Sequence, residues 1–208
     1  GEESASGRWG RGEKRYGSLH EVLDDTAESA VVLLGPSGCG KSTLLRRFEL
    51  ETAVDGLRQA AEAVTFFVPL NMYRGEQPGG PAPEPGEWLQ AQWSARFPAL
   101  PALDRLLAEG RMVLLLDGLN EIPHRDPADC RELILVWKQF LHEVARGQAG
   151  NRVLFSCRTL DYSAPLSTPA LRVPQVQVEP MTDEQVRRFL ELYAPPQSEM
   201  LWGKLAGT

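Results

Sequence analysis

Short runs of apolar residues alternate along the chain with longer segments in which apolar residues recur every three or four positions. Continuous apolar runs are typical of parallel strands that are buried on both faces of a sheet, and the longer spacing is typical of helices. The runs predict five strands, at residues 31–34, 64–70, 111–116, 152–156 and 176–178. The helical spacing predicts helices at residues 18–27, 41–54, 88–97 and 100–108, after Asp126, and after Thr182. This alternation predicts an α/β fold with three layers around a mainly parallel five-stranded sheet.

The polar residues at segment ends support this division. Asp126 and Pro127 are suited to the start of a helix, and the sequence Thr182-Asp183-Glu184-Gln185 has the form of a capping box. Residues 75–86 are rich in Pro and Gly, which predicts a mobile surface loop.

These patterns divide the chain into three parts. Residues 1–15 show no period and are interpreted as a flexible N-terminal arm, and residues 16–180 as one α/β domain. Residues 181–208 are interpreted as the start of a helical subdomain that continues in a longer protein.

Composition excludes some classes of protein. The net charge of −6 argues against a surface that is built as a whole to bind nucleic acid. No apolar run approaches the ~20 residues of a membrane span. The three cysteines lack metal-site spacing, so we interpret them as reduced thiols of a cytoplasmic protein.

The first predicted strand runs into a glycine-rich loop. Residues 35–42, GPSGCGKS, match the phosphate-loop pattern G-x-x-x-x-G-K-[ST] between a strand and a helix. Glycines expose backbone N–H groups to phosphate, Lys41 supplies a charge for the β- and γ-phosphates, and Ser42 offers a hydroxyl to Mg²⁺. The alternative is a turn without a ligand. Cys39 has a possible redox role, but filling of the loop is the favoured interpretation. The candidate nucleotide-binding residues here are Gly35, Pro36, Ser37, Gly38, Cys39, Gly40, Lys41, Ser42 and Thr43.

The third and fourth predicted strands also end in polar residues. Asp117 is placed to hold Mg²⁺ through water, together with Ser42. Glu121 is a candidate to orient or deprotonate the attacking water. Asn120 is a candidate to position that water or the γ-phosphate. For both residues the alternative is capping of the following segment. Arg158 can sense the γ-phosphate if the fourth strand lies beside the first, and a surface salt bridge is its alternative.

Together, GPSGCGKST, LLLDGLNEIP and the later SCR resemble the NACHT domain, a family of P-loop NTPases in the STAND class of signalling ATPases. The resemblance covers residues 16–193. The second acidic motif of the family has four apolar residues, then Asp, Gly, an apolar residue, Asp and Glu. Here residues 113–116 and Asp117 follow the pattern, Asn120 replaces the second Asp, and Glu121 keeps its place.

The resemblance implies a switch controlled by ATP and ADP, with Mg²⁺, in which ATP permits self-association and the output is carried by effector and sensor domains outside this chain. It implies a central phosphate-loop strand with the third and fourth strands beside it. Tyr16 and Gly17 would lie near the nucleotide base. Related proteins act in innate immunity and antiphage defence.

Three other functions remain open. One is a nucleotide-binding scaffold that works by assembly without useful hydrolysis. Another is a metabolic P-loop ATPase or kinase, or a transporter ATPase. The third is a DNA-dependent motor, although basic and aromatic residues do not interleave as single-strand binding would need. The chain lacks an LSGGQ-like transporter signature and the N/T-K-x-D motif of GTPases, and its loop at residues 75–86 is not an arginine-rich kinase lid.

Overall fold

The computed structural model describes residues 14–59, 63–74, 81–163 and 165–205. Most of the predicted N-terminal arm, at residues 1–13, and part of the predicted surface loop, at residues 75–80, lie outside the described residues. The elements in the described part are α1 (Leu19–Asp25), β1 (Ala30–Gly35), α2 (Lys41–Gln59), β2 (Val64–Pro69), α3 (Pro85–Arg96), α4 (Leu103–Ala108), β3 (Met112–Asp117), α5 (Pro127–Arg146), β4 (Arg152–Arg158), β5 (Gln175–Gln177), α6 (Asp183–Tyr193) and α7 (Ser198–Leu205).

The sheet confirms the predicted fold class. Its five strands are all parallel and follow the order β2-β3-β4-β1-β5. The expectation that the third strand lies directly beside the phosphate-loop strand is wrong, because β4 lies between them. β4 pairs along its length with β1 and pairs with β3 on its other side. The carboxyl ends of β3, β4 and β1 are therefore consecutive at one edge of the sheet.

Helices cover both faces of the sheet, because successive strand residues point to opposite sides. On one face, Leu33 and Leu115 pack with Leu45 and Phe48 of α2. On the other face, Leu114 and its neighbours pack with α3, α4 and α5. Burial of the strands on both sides explains their continuous apolar sequences. The two layers of helices hold the strand ends in place.

Several element boundaries differ from those predicted. Helix α2 continues to Gln59, and β4 continues to Arg158. Helix α3 begins at Pro85, inside the segment predicted to be a mobile loop. Proline has no N–H to lose at the first helical position and its fixed φ suits a helix, so a Pro-rich sequence can begin this one. Helix α7 was not predicted.

Two predicted helix starts are confirmed. The Asp126 side chain accepts hydrogen bonds from the backbone N–H groups of Ala128 and Asp129. The Thr182 hydroxyl and the Gln185 side chain form the predicted reciprocal capping box. Helices α6 and α7 occupy the region predicted to begin a subdomain, whose boundary stays a prediction. In the described part of the chain, no helix has the length and apolar character needed to cross a membrane.

A buried ion pair joins the segment after β2 to the first turn of α5. Arg74 donates to both carboxylate oxygens of Asp129, at 2.5 and 2.9 Å, and the two side chains are only 6% and 3% exposed. The Arg74 guanidinium, followed by the backbone N–H of Arg125, holds the pKa of Asp129 well below its usual range. Because Pro123 also accepts from Arg74, the pair secures the segment that follows the second acidic motif.

We expect Asp129→Asn to lower the melting temperature at neutral pH by roughly 5–15 °C, because it leaves the buried Arg74 charge uncompensated. A carboxylate whose pKa is lowered on folding stabilises the protein above its unfolded pKa, about 3.9. That contribution is lost as the pH falls below about 4 toward the folded pKa. The wild type should therefore lose stability in this range more steeply than the variant. Thermal melts from pH 6 to pH 3 test this, and Asp55→Asn, an exposed carboxylate on α2, is the control.

Candidate functional site

The loop between β1 and α2 has the open backbone that its glycines predict. Gly38 and Gly40 have φ angles of 75° and 93°, which side-chain-bearing residues rarely adopt. A Cβ atom at either glycine would meet no heavy atom within 4 Å, so space remains beside the loop. The loop leads directly into α2, whose positive N-terminal end favours an anion.

Lys41 lies across this loop. Its Nζ atom donates to the carbonyl oxygens of Gly35 and Pro36 at 2.9 and 2.8 Å, and lies 3.7 Å from the Cys39 sulfur. The same sulfur would lie 2.5 Å from a Cβ atom on Gly35, so a larger residue at position 35 would displace the Cys39 side chain. Cys39 therefore fills the inside of the loop, in agreement with its favoured interpretation.

One cleft of about 220 Å³ brings the predicted chemistry together. Of the predicted phosphate-loop residues, six line it: Ser37, Gly38, Gly40, Lys41, Ser42 and Thr43. Asp117, Asn120, Glu121 and Arg158 line the same cleft. Gly35 and Pro36, whose carbonyls accept from Lys41, and Cys39 are not among the lining residues. The three strand ends thus meet around one space.

A tight turn after β3 directs Glu121 toward the cleft. Gly118 has φ 80°, and the Glu121 N–H donates to the Gly118 carbonyl at 2.7 Å. A Cβ atom on Gly118 would lie 3.0 Å from the Glu121 carboxylate and 3.2 Å from its Cβ, so a larger residue would crowd this side chain as well as strain the turn. The Glu121 side chain is 48% exposed and is accessible from the cleft.

Arg158 ends β4 opposite Gly35 of β1, which satisfies the condition set for a γ-phosphate sensor. Its guanidinium lies 3.9 Å from Glu121 and 4.0 Å from Asp161. The salt bridge considered as the alternative is therefore present, although the side chain still lines the cleft. Asn120 accepts a hydrogen bond from the Arg158 backbone N–H at 3.1 Å. Asn120 thereby joins the turn after β3 to the end of β4.

Ser156 is a site residue that the sequence analysis did not identify. Its hydroxyl donates to Asp117 Oδ1 at 2.5 Å and accepts from the Gly118 N–H at 2.8 Å. The side chain lines the cleft, yet the residue is only 1% exposed. The sequence signal that could have identified Ser156 is a polar residue within the buried run Val-Leu-Phe-Ser-Cys at residues 153–157. Its hydrogen-bond partner, however, depends on the strand order.

The oxygen atoms of Ser42 and Asp117 fit a magnesium ion that also binds nucleotide phosphates. Mg²⁺ prefers oxygen ligands and is usually held by one or two side chains, phosphates and water. Both residues line the cleft. Among the described residues there is no group of three or more His, Cys, Asp or Glu side chains that could hold a metal alone. Two side-chain oxygen donors are a number that Mg²⁺ commonly takes from a protein when phosphates and water complete its coordination.

Tyr16 and Gly17, expected near the base, lie at the start of α1. The Tyr16 hydroxyl donates to Asp25 at 2.7 Å, and the Gly17 N–H donates to Glu21 at 2.8 Å. Neither residue is among those that line the cleft. Their contact with a nucleotide base stays a prediction.

A chain of one solved complex is similar to this chain in fold. The HORMA:CdnC:Trip13 complex of E. coli MS115-1 contains a chain with a TM-score of 0.50 and 20% identity, over 84% of this chain and 58% of that one. C. elegans PCH-2 aligns with a TM-score of 0.46 and 11% identity, over 86% of this chain and 42% of that one.

Sequence comparison gives a more specific result. The sulfate/thiosulfate import ATP-binding protein CysA of Acinetobacter baylyi is 44% identical over 63 residues, which are 27% of this chain and 18% of that protein. This chain thus spans less than a fifth of that relative. The sequence model of the NACHT domain matches residues 29–196, which are most of the chain. The matched range includes the phosphate loop and the ends of β3 and β4. The chain therefore belongs to the NACHT domain family and is a nucleotide-binding P-loop NTPase.

Proposed function

We propose that the chain is the ATP-binding and slowly ATP-hydrolysing part of a signalling switch. The observation that carries this proposal is the meeting of Lys41, Ser42, Asp117, Glu121 and Arg158 around one cleft. Phosphoryl transfer needs a positive cradle, a metal site and a group that orients water, and these residues supply each of them.

Each residue of the cleft has a role that follows from its position around the nucleotide phosphates. The phosphate loop and Lys41 bind the phosphates, and Ser42 and Asp117 would hold Mg²⁺, which would neutralise charge on the phosphates. Glu121 orients the attacking water and accepts its proton. Arg158 contacts the γ-phosphate, since it ends the strand beside the phosphate loop.

Slow turnover agrees with the exposure and the mutual contact of the two catalytic candidates, Glu121 and Arg158. The side chains of Glu121 and Arg158 are 48% and 47% exposed and lie 3.9 Å apart. A carboxylate that is open to solvent and paired with a cation is not held against the attacking water. We propose that a second copy of the chain covers this side of the cleft when ATP is bound, so that ATP promotes self-association.

Membership of the NACHT family supports a proposal for the biological setting. We propose a cytoplasmic protein in which effector and sensor domains outside this chain convert assembly into an immune or antiphage-defence output. A scaffold that binds adenine nucleotide without useful hydrolysis is the second candidate, favoured by the contact between Glu121 and Arg158. The two functions differ in turnover and share binding and assembly.

Light scattering after size-exclusion chromatography tests the switch. We expect the chain to be monomeric with Mg·ADP and to associate with a non-hydrolysable Mg·ATP analogue. Arg158→Ala should bind the analogue and associate less, since it no longer reports the γ-phosphate. The same mass with both nucleotides, at concentrations that saturate the site, would contradict the proposed switch.

A further inference from the structure

Ser156 is a buried polar side chain that connects β4 to the end of β3, where Asp117 of the candidate metal site lies. It lies in β4 among Phe155 and Cys157, both buried, and is itself 1% exposed. A buried hydroxyl costs free energy unless it is hydrogen-bonded. An apolar residue of similar size would be the cheaper choice if only filling were needed at this position. The two hydrogen bonds of the Ser156 hydroxyl therefore explain why a serine, and not an apolar residue, occupies this position.

The direction of these hydrogen bonds is fixed by their partners. The Gly118 backbone N–H can only donate, so the Ser156 oxygen must accept from it at 2.8 Å. The Ser156 hydroxyl has a single proton, which it donates to Asp117 Oδ1 at 2.5 Å. A hydrogen bond to a carboxylate is short and strong, and this one holds Oδ1 toward β4. Oδ2 of Asp117 is left for the cleft.

The position of Ser156 follows from the strand register. Leu116 of β3 is paired with Phe155 of β4, and Asp117 and Ser156 are the next residues on their strands. The bond to Gly118 also fixes the first residue of the turn that directs Glu121. One hydroxyl thus contacts both the carboxylate of the metal site and the turn of the candidate base.

We infer that Ser156 is a positioning residue that orients the Asp117 carboxylate for Mg²⁺ and thereby sets the magnesium dependence of nucleotide binding. This inference rests on the proposed function. Residues that orient a metal ligand typically change metal affinity by about 10- to 100-fold when removed. A residue with only a packing role would weaken nucleotide binding equally with and without the metal.

The test measures the affinity of a non-hydrolysable ATP analogue by calorimetry, with Mg²⁺ and with EDTA. For Ser156→Ala we expect the affinity with Mg²⁺ to fall by about 10- to 100-fold, and the affinity in EDTA to stay within about threefold. Ser156→Thr keeps the hydroxyl and should restore most of the magnesium effect. Ser156→Cys, which has similar size and a weak donor, should fall between them and replaces the alanine variant if that variant does not fold.

The outcomes separate this inference from the proposed function. An unchanged magnesium effect in Ser156→Ala, or an equal loss with Mg²⁺ and EDTA, overturns the inference and leaves the ATP site intact. Failure of Ser156→Thr to recover the magnesium effect also counts against it. Failure of the folded wild type to bind the analogue in either condition would refute the proposed function itself, and the inference with it.

Discussion

Glu121→Gln is expected to slow ATP hydrolysis by about 10²- to 10⁴-fold while Mg·ATP affinity stays within about threefold. Glutamine keeps the size of the side chain and its place in the cleft but cannot accept a proton from water. The turn that directs it, with its glycine at φ 80°, does not depend on the carboxylate charge. Single-turnover hydrolysis of labelled ATP, with the chain in excess, measures this loss even when turnover is slow.

The matched control for this prediction is Glu191→Gln, an exposed carboxylate of α6 that is not among the residues lining the cleft. It should hydrolyse ATP at the wild-type rate. Wild-type turnover in Glu121→Gln would remove Glu121 from the mechanism. A wild type that binds ATP and shows no turnover would favour the scaffold function.

Lys41→Ala is expected to lower the affinity for Mg·ATP by about 100-fold or more, because a charge-assisted contact to phosphate is lost in a site with few other cations. Lys41→Arg should recover little, since a planar guanidinium does not fit the bonds that the compact ammonium makes to Gly35 and Pro36. The loss of affinity is measured as a smaller ATP-dependent rise of the melting temperature in thermal melts. At a ligand concentration of about 100 Kd, ATP stabilises the wild type by about 2.7 kcal/mol.

Lys204→Ala, an exposed lysine of α7, is the control and should show the full ATP-dependent shift. The melting temperature of Lys41→Ala without nucleotide shows whether the fold survives the loss of the two carbonyl contacts. An undiminished shift with ATP in the folded variant would mean that the phosphates lie elsewhere.

Local features of the site and of the helix ends could be predicted because each is determined by a short stretch of consecutive residues. The phosphate loop, Asp117 with Glu121, and the caps at Asp126 and Thr182 each depend on a short segment and its own backbone. Their chemistry follows from spacing alone. The structure places them in or near the expected elements.

Features that depend on which strands are neighbours were not predictable in this way. The position of β4 between β3 and β1 decides that Ser156 meets Asp117 and that Asn120 meets Arg158. No short-range pattern encodes these pairs, because their members are 39 and 38 residues apart. The Arg74–Asp129 ion pair could not be predicted for the same reason, because its residues are 55 positions apart.

The measurement that tests the central claim most directly is a calorimetric titration of the wild-type chain with Mg·ATP, Mg·ADP and Mg·GTP. The account predicts one site per chain, with saturable binding of both adenine nucleotides and weaker binding of GTP. A cooperatively folded sample that binds none of the three would contradict it, because the cleft between β1, β3 and β4 would then not be a nucleotide site.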